Sequence, residues 1–163
     1  AQDYPERLAS LVLSATWPGQ DVYFNRAFAA RKGVLSAAGT REYARHSILT
    51  LLPPWYITQN ADKISELEGY LAGADQPVEI MENRIDAICA FDRRNRMGDI
   101  KAPTLVIVAE DDMVTPRYLS DQLEEGITGA ERVTLPTGGH FVIHILVEEY
   151  NRAVNDFLQR NPL

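Results

Sequence analysis

The stretch Thr104-Leu-Val-Ile-Val-Ala109 limits the possible folds of this chain more than any other. It is apolar from Leu105 onward, rich in β-branched residues, and shows no alternation of polar and apolar positions. A strand with that pattern is buried on both faces, which happens when helices cover both sides of a parallel sheet. Leu11 to Ser14 has the same continuous character, and Arg132 to Leu135 is a third short candidate. A helical pattern follows each of the last two strands. The expected class is therefore α/β, with three parallel strands and flanking helices.

Between the first two strands lies an insert over residues 17–98, far longer than the dozen or so residues a crossover requires. It holds no convincing strand. Helices are expected over 23–32 and over 40–52, the latter stopped by Pro53-Pro54. A third is capped by Asn60 and carries Ile64, Leu67 and Leu71, with Gly73 near its end. A fourth starts at Pro77, carries Met81, Ile85, Ile88 and Cys89, and closes at Gly98. The expected organisation is a core strand over 1–16, a helical insert over 17–98 and a C-terminal core over 99–163. Within that core, Thr115 is expected to cap a helix with Pro116 at its first position. The last helix should bury Leu146, Tyr150, Val154, Phe157 and Leu158.

In parallel α/β sheets the carboxyl ends of the strands form the functional edge. Asp111 and Asp112 stand just past one such end and His140 just past the next, one βα unit apart. A carboxylate can hold an imidazole in one tautomer and stabilise its protonated form, and the imidazole then serves as a general base. In that dyad Asp112 orients and His140 transfers protons, while Gly138 and Gly139 permit the tight turn before the ring. Taken singly, each is equally a turn or loop residue; their shared position at the strand ends is what favours chemistry. Trp17, Trp55, Met113 and Phe141 are candidates for lining a substrate pocket, with core or rim packing as the plainer role of the tryptophans. His144, four residues after His140, lacks an evident third metal ligand, and His46 reads as a surface residue. Cys89 reads as core.

The chain has 163 residues and a net charge of -7, which disfavours nucleic acid and anionic membrane as partners. Its few clustered cations, Arg93, Arg94 and Arg96, read as a solvated helix end. No apolar run approaches membrane-spanning length. A single cysteine excludes an internal disulfide, and a cytoplasmic setting is expected. The chain opens on Ala1, and AQDYPERLASLVLSA reads as the tail of a helix, a turn and a core strand. The expectation is a segment of a longer protein.

The segment APTLVIVAEDDMVTP resembles the acid turn of α/β-hydrolases, and LPTGGHF resembles their histidine loop. YPERLASLVLSATW is similar to the strand that follows the nucleophile's helix in that family. The resemblance covers the whole chain as the C-terminal half of the fold. It is strongest toward the small-acyl and enol-lactone hydrolases, and especially the aminoacrylate hydrolases of pyrimidine breakdown, where it includes the pattern around Leu52-Pro53-Pro54-Trp55, the helix from Arg84 to Phe91, the paired Asp111-Asp112 and GGH. It implies that the insert is a cap, that no metal or organic cofactor is needed, and that the substrate is a small ester, lactone or aminoacrylate-like molecule. It also implies a nucleophile in a G-x-S-x-G elbow, in the order Ser, acid, His. No such elbow occurs in these 163 residues. The chain would then be the acid and base half of a serine-type hydrolase, inactive alone, with its N-terminal half or another copy of itself as partner. A non-catalytic fragment or scaffold that associates through an open sheet edge is the alternative. A phospho-acceptor or Mg-binding signalling module built on Asp111 and Asp112 is a remoter one, since no further acceptor Asp and Lys follow on later strand ends.

Overall fold

The computed structural model describes residues 1–73 and 77–162. The chain divides into two compact units, Ala1–Gly19 with Asp92–Leu163, and Gln20–Phe91.

The first unit is built on three parallel strands: β1 (Leu11–Ser14), β2 (Thr104–Ala109) and β3 (Glu131–Leu135), in the order β1-β2-β3. Ser14 stands opposite Ile107, and Ala109 opposite Leu135. All three strands therefore end on the same edge. The α/β class expected from the sequence is the observed one. Burial on both faces holds along all of β2, whereas β1 is only half-buried. The difference is positional: β2 has a strand on each side, and among the described residues β1 has one on a single side.

Side chains of β2 alternate between two cores. Ile107 and Ala109 pack with Leu135, Val142 and Tyr150. On the opposite face Val106 packs with Ile100, Leu123 and Ile127. Helices α5 (Arg117–Gly126), α6 (Val142–Ile145) and α7 (Val147–Arg160) supply these residues or their neighbours. Each fully buried Leu, Ile or Val stabilises the fold by about 1.5–3 kcal/mol. In α7 the buried stripe runs through Tyr150 and Phe157, with Ala153 and Val154 partly buried. Leu158, expected on this face, is instead exposed, because one further residue rotates it about 100° past Phe157.

The start of α5 also departs from expectation. Its flanking residue is Pro116, in extended conformation, and the first helical residue is Arg117. Thr115 does not cap the helix; its hydroxyl donates to Asp112 at 2.9 Å.

The helical unit contains α1 (Val22–Leu51), α2 (Pro54–Gln59), α3 (Ala61–Gly73) and α4 (Val78–Ala90). Asp21 caps α1 by accepting from the Phe24 amide at 2.8 Å. The two helices expected over 23–32 and 40–52 are the arms of α1, broken at Gly39, whose φ of 79° and ψ of -175° suit only glycine. The arms meet where the Arg31 guanidinium donates to Tyr43 and Ser47 and lies over the Phe28 and Tyr43 rings. Phe24, Phe28, Leu35, Ile48, Ile64 and Ile85 are buried in this unit. His46, expected at the surface, is half-buried, and burial holds its imidazole below the usual range, reinforced by nearby Arg31. Cys89 is also half-buried rather than core, and burial pushes its thiol up.

Helix α4 stops at Ala90, short of the expected Gly98. Asp92 draws in both the Arg94 amide, at 3.1 Å, and the Arg94 guanidinium, which competes with continued helix. A 3-10 turn over Arg94–Asp99 follows, in which Arg96 pairs with Asp3 and Asp99. Gly19 and Asp92 form an isolated antiparallel bridge, so the chain leaves and re-enters the first unit at one place. A Cβ on Gly19 would lie 2.6 Å from Asp92 Oδ1 and 2.7 Å from Arg94 Nε, so a larger residue there would have to displace these two exposed side chains. No helix among the described residues is long and apolar enough to cross a membrane.

Candidate active site

Two loops at the strand-end edge of the first unit build the site. After β2 the chain turns at once: the Asp112 amide donates to the Ala109 carbonyl at 3.3 Å, and the Glu110 amide to the Leu135 carbonyl at 2.9 Å. This turn directs the Asp112 side chain inward, where it is fully buried. A buried carboxylate is costly unless its lone pairs are filled. Here they are. Oδ1 accepts from the amides of Val114 and Thr115 at 2.8 and 2.9 Å. Oδ2 accepts from the Thr115 hydroxyl at 2.9 Å and lies 3.0 Å from Nδ1 of His140.

His140 follows two left-handed glycines, Gly138 at φ 123° and Gly139 at φ 59°. The loop needs Gly138 for space as well as dihedral: a Cβ there would lie 2.8 Å from Val142 Cγ2. Because an ionised carboxylate only accepts, Nδ1 of His140 carries the proton in this contact. That leaves the lone pair on Nε2, on a side chain that retains 22% exposure. Such a contact favours one tautomer, with Nε2 left unprotonated.

The remaining candidates fall in different places. Phe141 stacks beside His140, with ring centroids 6.4 Å apart, and meets His144 edge-on at 5.6 Å. Met113, next to Asp112, is exposed. Trp17 lies half-buried three residues beyond β1, on the same strand-end edge. Trp55 belongs to the helical unit, exposed on α2 and edge-on to Tyr56. Among the described residues, no three His, Cys, Asp or Glu side chains gather as metal ligands, so neither His140 with His144 nor the Asp111–Asp112 pair forms such a group.

Sequence reasoning missed two contributors. Thr115 serves Asp112, and Asp111 reaches across to the histidine loop, accepting from the Thr137 hydroxyl at 2.5 Å and the Gly139 amide at 2.8 Å. The D-x-x-T spacing of Asp112 and Thr115 is an Asx-type signal that could have revealed the first. The second spans 26 and 28 residues and leaves no local pattern.

Fold and site together define a class: the chain has the fold of the C-terminal part of an α/β-hydrolase. It matches at TM-score 0.88 an α/β hydrolase, MGS-M2, from a Medee basin deep-sea metagenome library, at 20% identity over 99% of this chain and 60% of that one. The enol-lactonase from Burkholderia xenovorans LB400 matches at TM-score 0.86 and 21% identity, over 98% and 59% of the two chains. Among curated sequences, a protein of Azorhizobium caulinodans provisionally named carbamate hydrolase RutD is 35% identical over 94% of this chain and 58% of its own length. The chain thus spans about three fifths of the curated relatives it matches. No family model matches it.

Proposed function

We propose that this chain is the acid and base half of a serine-type α/β-hydrolase acting on a small ester, lactone or aminoacrylate-like substrate. The observation that carries this reading is the 3.0 Å contact between buried Asp112 and His140 at adjacent strand ends. Nε2 of His140 takes the proton from an attacking hydroxyl supplied by a segment outside this sequence, and returns it to the leaving group. Asp112 fixes the imidazole's orientation and stabilises the imidazolium that forms. With an aminoacrylate-like substrate the attacking hydroxyl is that of water, and ammonia leaves. Trp17, Met113 and Phe141 line the substrate side, and the helical unit, with Trp55, selects for size. No metal or organic cofactor takes part.

The resemblance to proteins named carbamate hydrolase and enol-lactonase supports the substrate class. The absence of G-x-S-x-G from these residues supports an inactive chain when isolated. The test joins this chain behind the preceding segment of the Azorhizobium caulinodans relative and follows a short-chain chromogenic ester. We expect turnover by the joined protein, none by the 163 residues alone, and loss with His140→Ala. A folded joined protein with no turnover, or His140-dependent turnover by the chain alone, would contradict this reading.

The second reading is a non-catalytic scaffold that pairs through its sheet edge. It is favoured by β1, whose described ladder partner is β2 alone and whose side chains are only half-buried. Concentration-dependent dimerisation without turnover in either form would favour it.

A further inference from the structure

Two consecutive carboxylates leave the turn after β2, and they do different work. Asp112 receives the imidazole. Asp111 receives the loop that carries it: Oδ1 takes the Gly139 amide at 2.8 Å and Oδ2 takes the Thr137 hydroxyl at 2.5 Å. Both contacts are charge-assisted, and both donors stand within three residues of His140 on the N-terminal side. The segment they hold is the one with least intrinsic rigidity. It contains Gly138 and Gly139, both at positive φ, and glycine restricts the backbone less than any other residue.

From this geometry we infer that Asp111 is a positioning residue for His140: a two-point clamp that keeps the imidazole against Asp112 in its Nδ1–H form. This rests on the hydrolase reading for its purpose, though not for its measurement. Asp111 does not touch His140 in the contacts described; it acts through the Gly139 amide and Thr137. Without it, two glycines would be free to sample conformations in which Nδ1 leaves the Asp112 carboxylate, and the base would lose its fixed tautomer.

The chemistry of the clamp predicts which substitutions it tolerates. In Asp111→Asn the amide oxygen still accepts from Gly139, and the amide nitrogen donates to Thr137, whose hydroxyl can accept as well as donate. The clamp survives without its charge. Asp111→Ala removes both arms, and Thr137→Val removes one.

The experiment is nitrogen-15 NMR of the 163-residue protein with labelled histidine, following the two ring nitrogens of His140 and the Nδ1 proton. We expect wild type and Asp111→Asn to show a single Nδ1–H tautomer with a slowly exchanging proton. Thr137→Val should show partial averaging, and Asp111→Ala mixed tautomers with that proton lost to exchange. A merely structural role for Asp111 would lower the melting temperature and leave the tautomer unchanged. An unchanged tautomer in folded Asp111→Ala would overturn the inference; if that variant does not fold, an unchanged signal in Thr137→Val would do so. Should wild type itself lack the Asp112-held tautomer, the hydrolase reading falls as well. Absence of ester turnover by the folded joined protein, with an intact tautomer pattern in this chain, would count against that reading alone.

Discussion

Thr115 and His140 converge on one oxygen. Oδ2 of Asp112 takes the Thr115 hydroxyl at 2.9 Å and faces Nδ1 of His140 at 3.0 Å, with the two partners 3.3 Å apart. Since Thr115 gives its proton to the carboxylate, its oxygen presents a lone pair to Nδ1–H. A hydroxyl that supports both members of the dyad cannot be replaced by shape alone. Thr115→Val keeps the branched form and should lower stability by about 1–2 kcal/mol, read as a drop of roughly 2–8 °C in melting temperature for a protein of this size.

Asp112 separates two kinds of damage. Asp112→Ala strands four donors in a buried place, those of Val114, Thr115 twice and His140. It should cost at least about 3 kcal/mol and can prevent folding. Asp112→Asn can keep its oxygen on the two amides and turn its amino group to His140. It should fold, while forcing the imidazole into the wrong tautomer. In a complete hydrolase carrying this chain, turnover should fall about ten-thousandfold with little change in melting temperature.

Gly138→Ala should be among the most damaging small substitutions. Its φ of 123° lies outside what alanine adopts readily, and its Cβ would lie 2.8 Å from Val142 Cγ2 and 3.0 Å from Val142 Cα. Strain and overpacking together predict a loss of about 2–4 kcal/mol. Chemical denaturation checks the loss. The His140 ring signals should shift too, since the histidine is two residues away.

The helical unit should carry its own acid sensitivity. Burial, with Arg31 beside it, holds the His46 imidazole below its ordinary value of 6.5. The folded form therefore prefers neutral His46, and the unfolded chain binds the proton more readily. The stability this provides is present above about pH 6.5 and is lost as pH falls through the lower folded value. Urea midpoints of wild type and His46→Gln, compared over pH 5 to 8, should diverge in slope only below about pH 6.5. Parallel profiles would refute this.

How much of this was legible in the sequence depends on the range of the interaction. β2 was plain because burial on both faces leaves a continuous apolar signature. Asp112 and His140 were plain because strand ends in a parallel sheet share an edge. Thr115 was misread as a helix cap because local rules place a threonine before Pro116 there, and the rules do not see a buried carboxylate three residues back. The bend at Gly39 and the end of α4 depend on one glycine's dihedrals and one Asp–Arg contact, which periodicity does not register. Leu158 satisfied helical spacing in sequence and still lies one residue past the buried stripe.

The Gly19–Asp92 bridge has a consequence for how such a molecule changes over time. It ties together the two points where 72 residues, Gln20–Phe91, leave and rejoin the strand-bearing unit. A piece whose ends are pinned side by side can be lengthened, shortened or exchanged for another without moving a strand. The acid and the histidine hang from strands that such an exchange does not touch. Variation in the helical piece can therefore proceed separately from the Asp112–His140 pair.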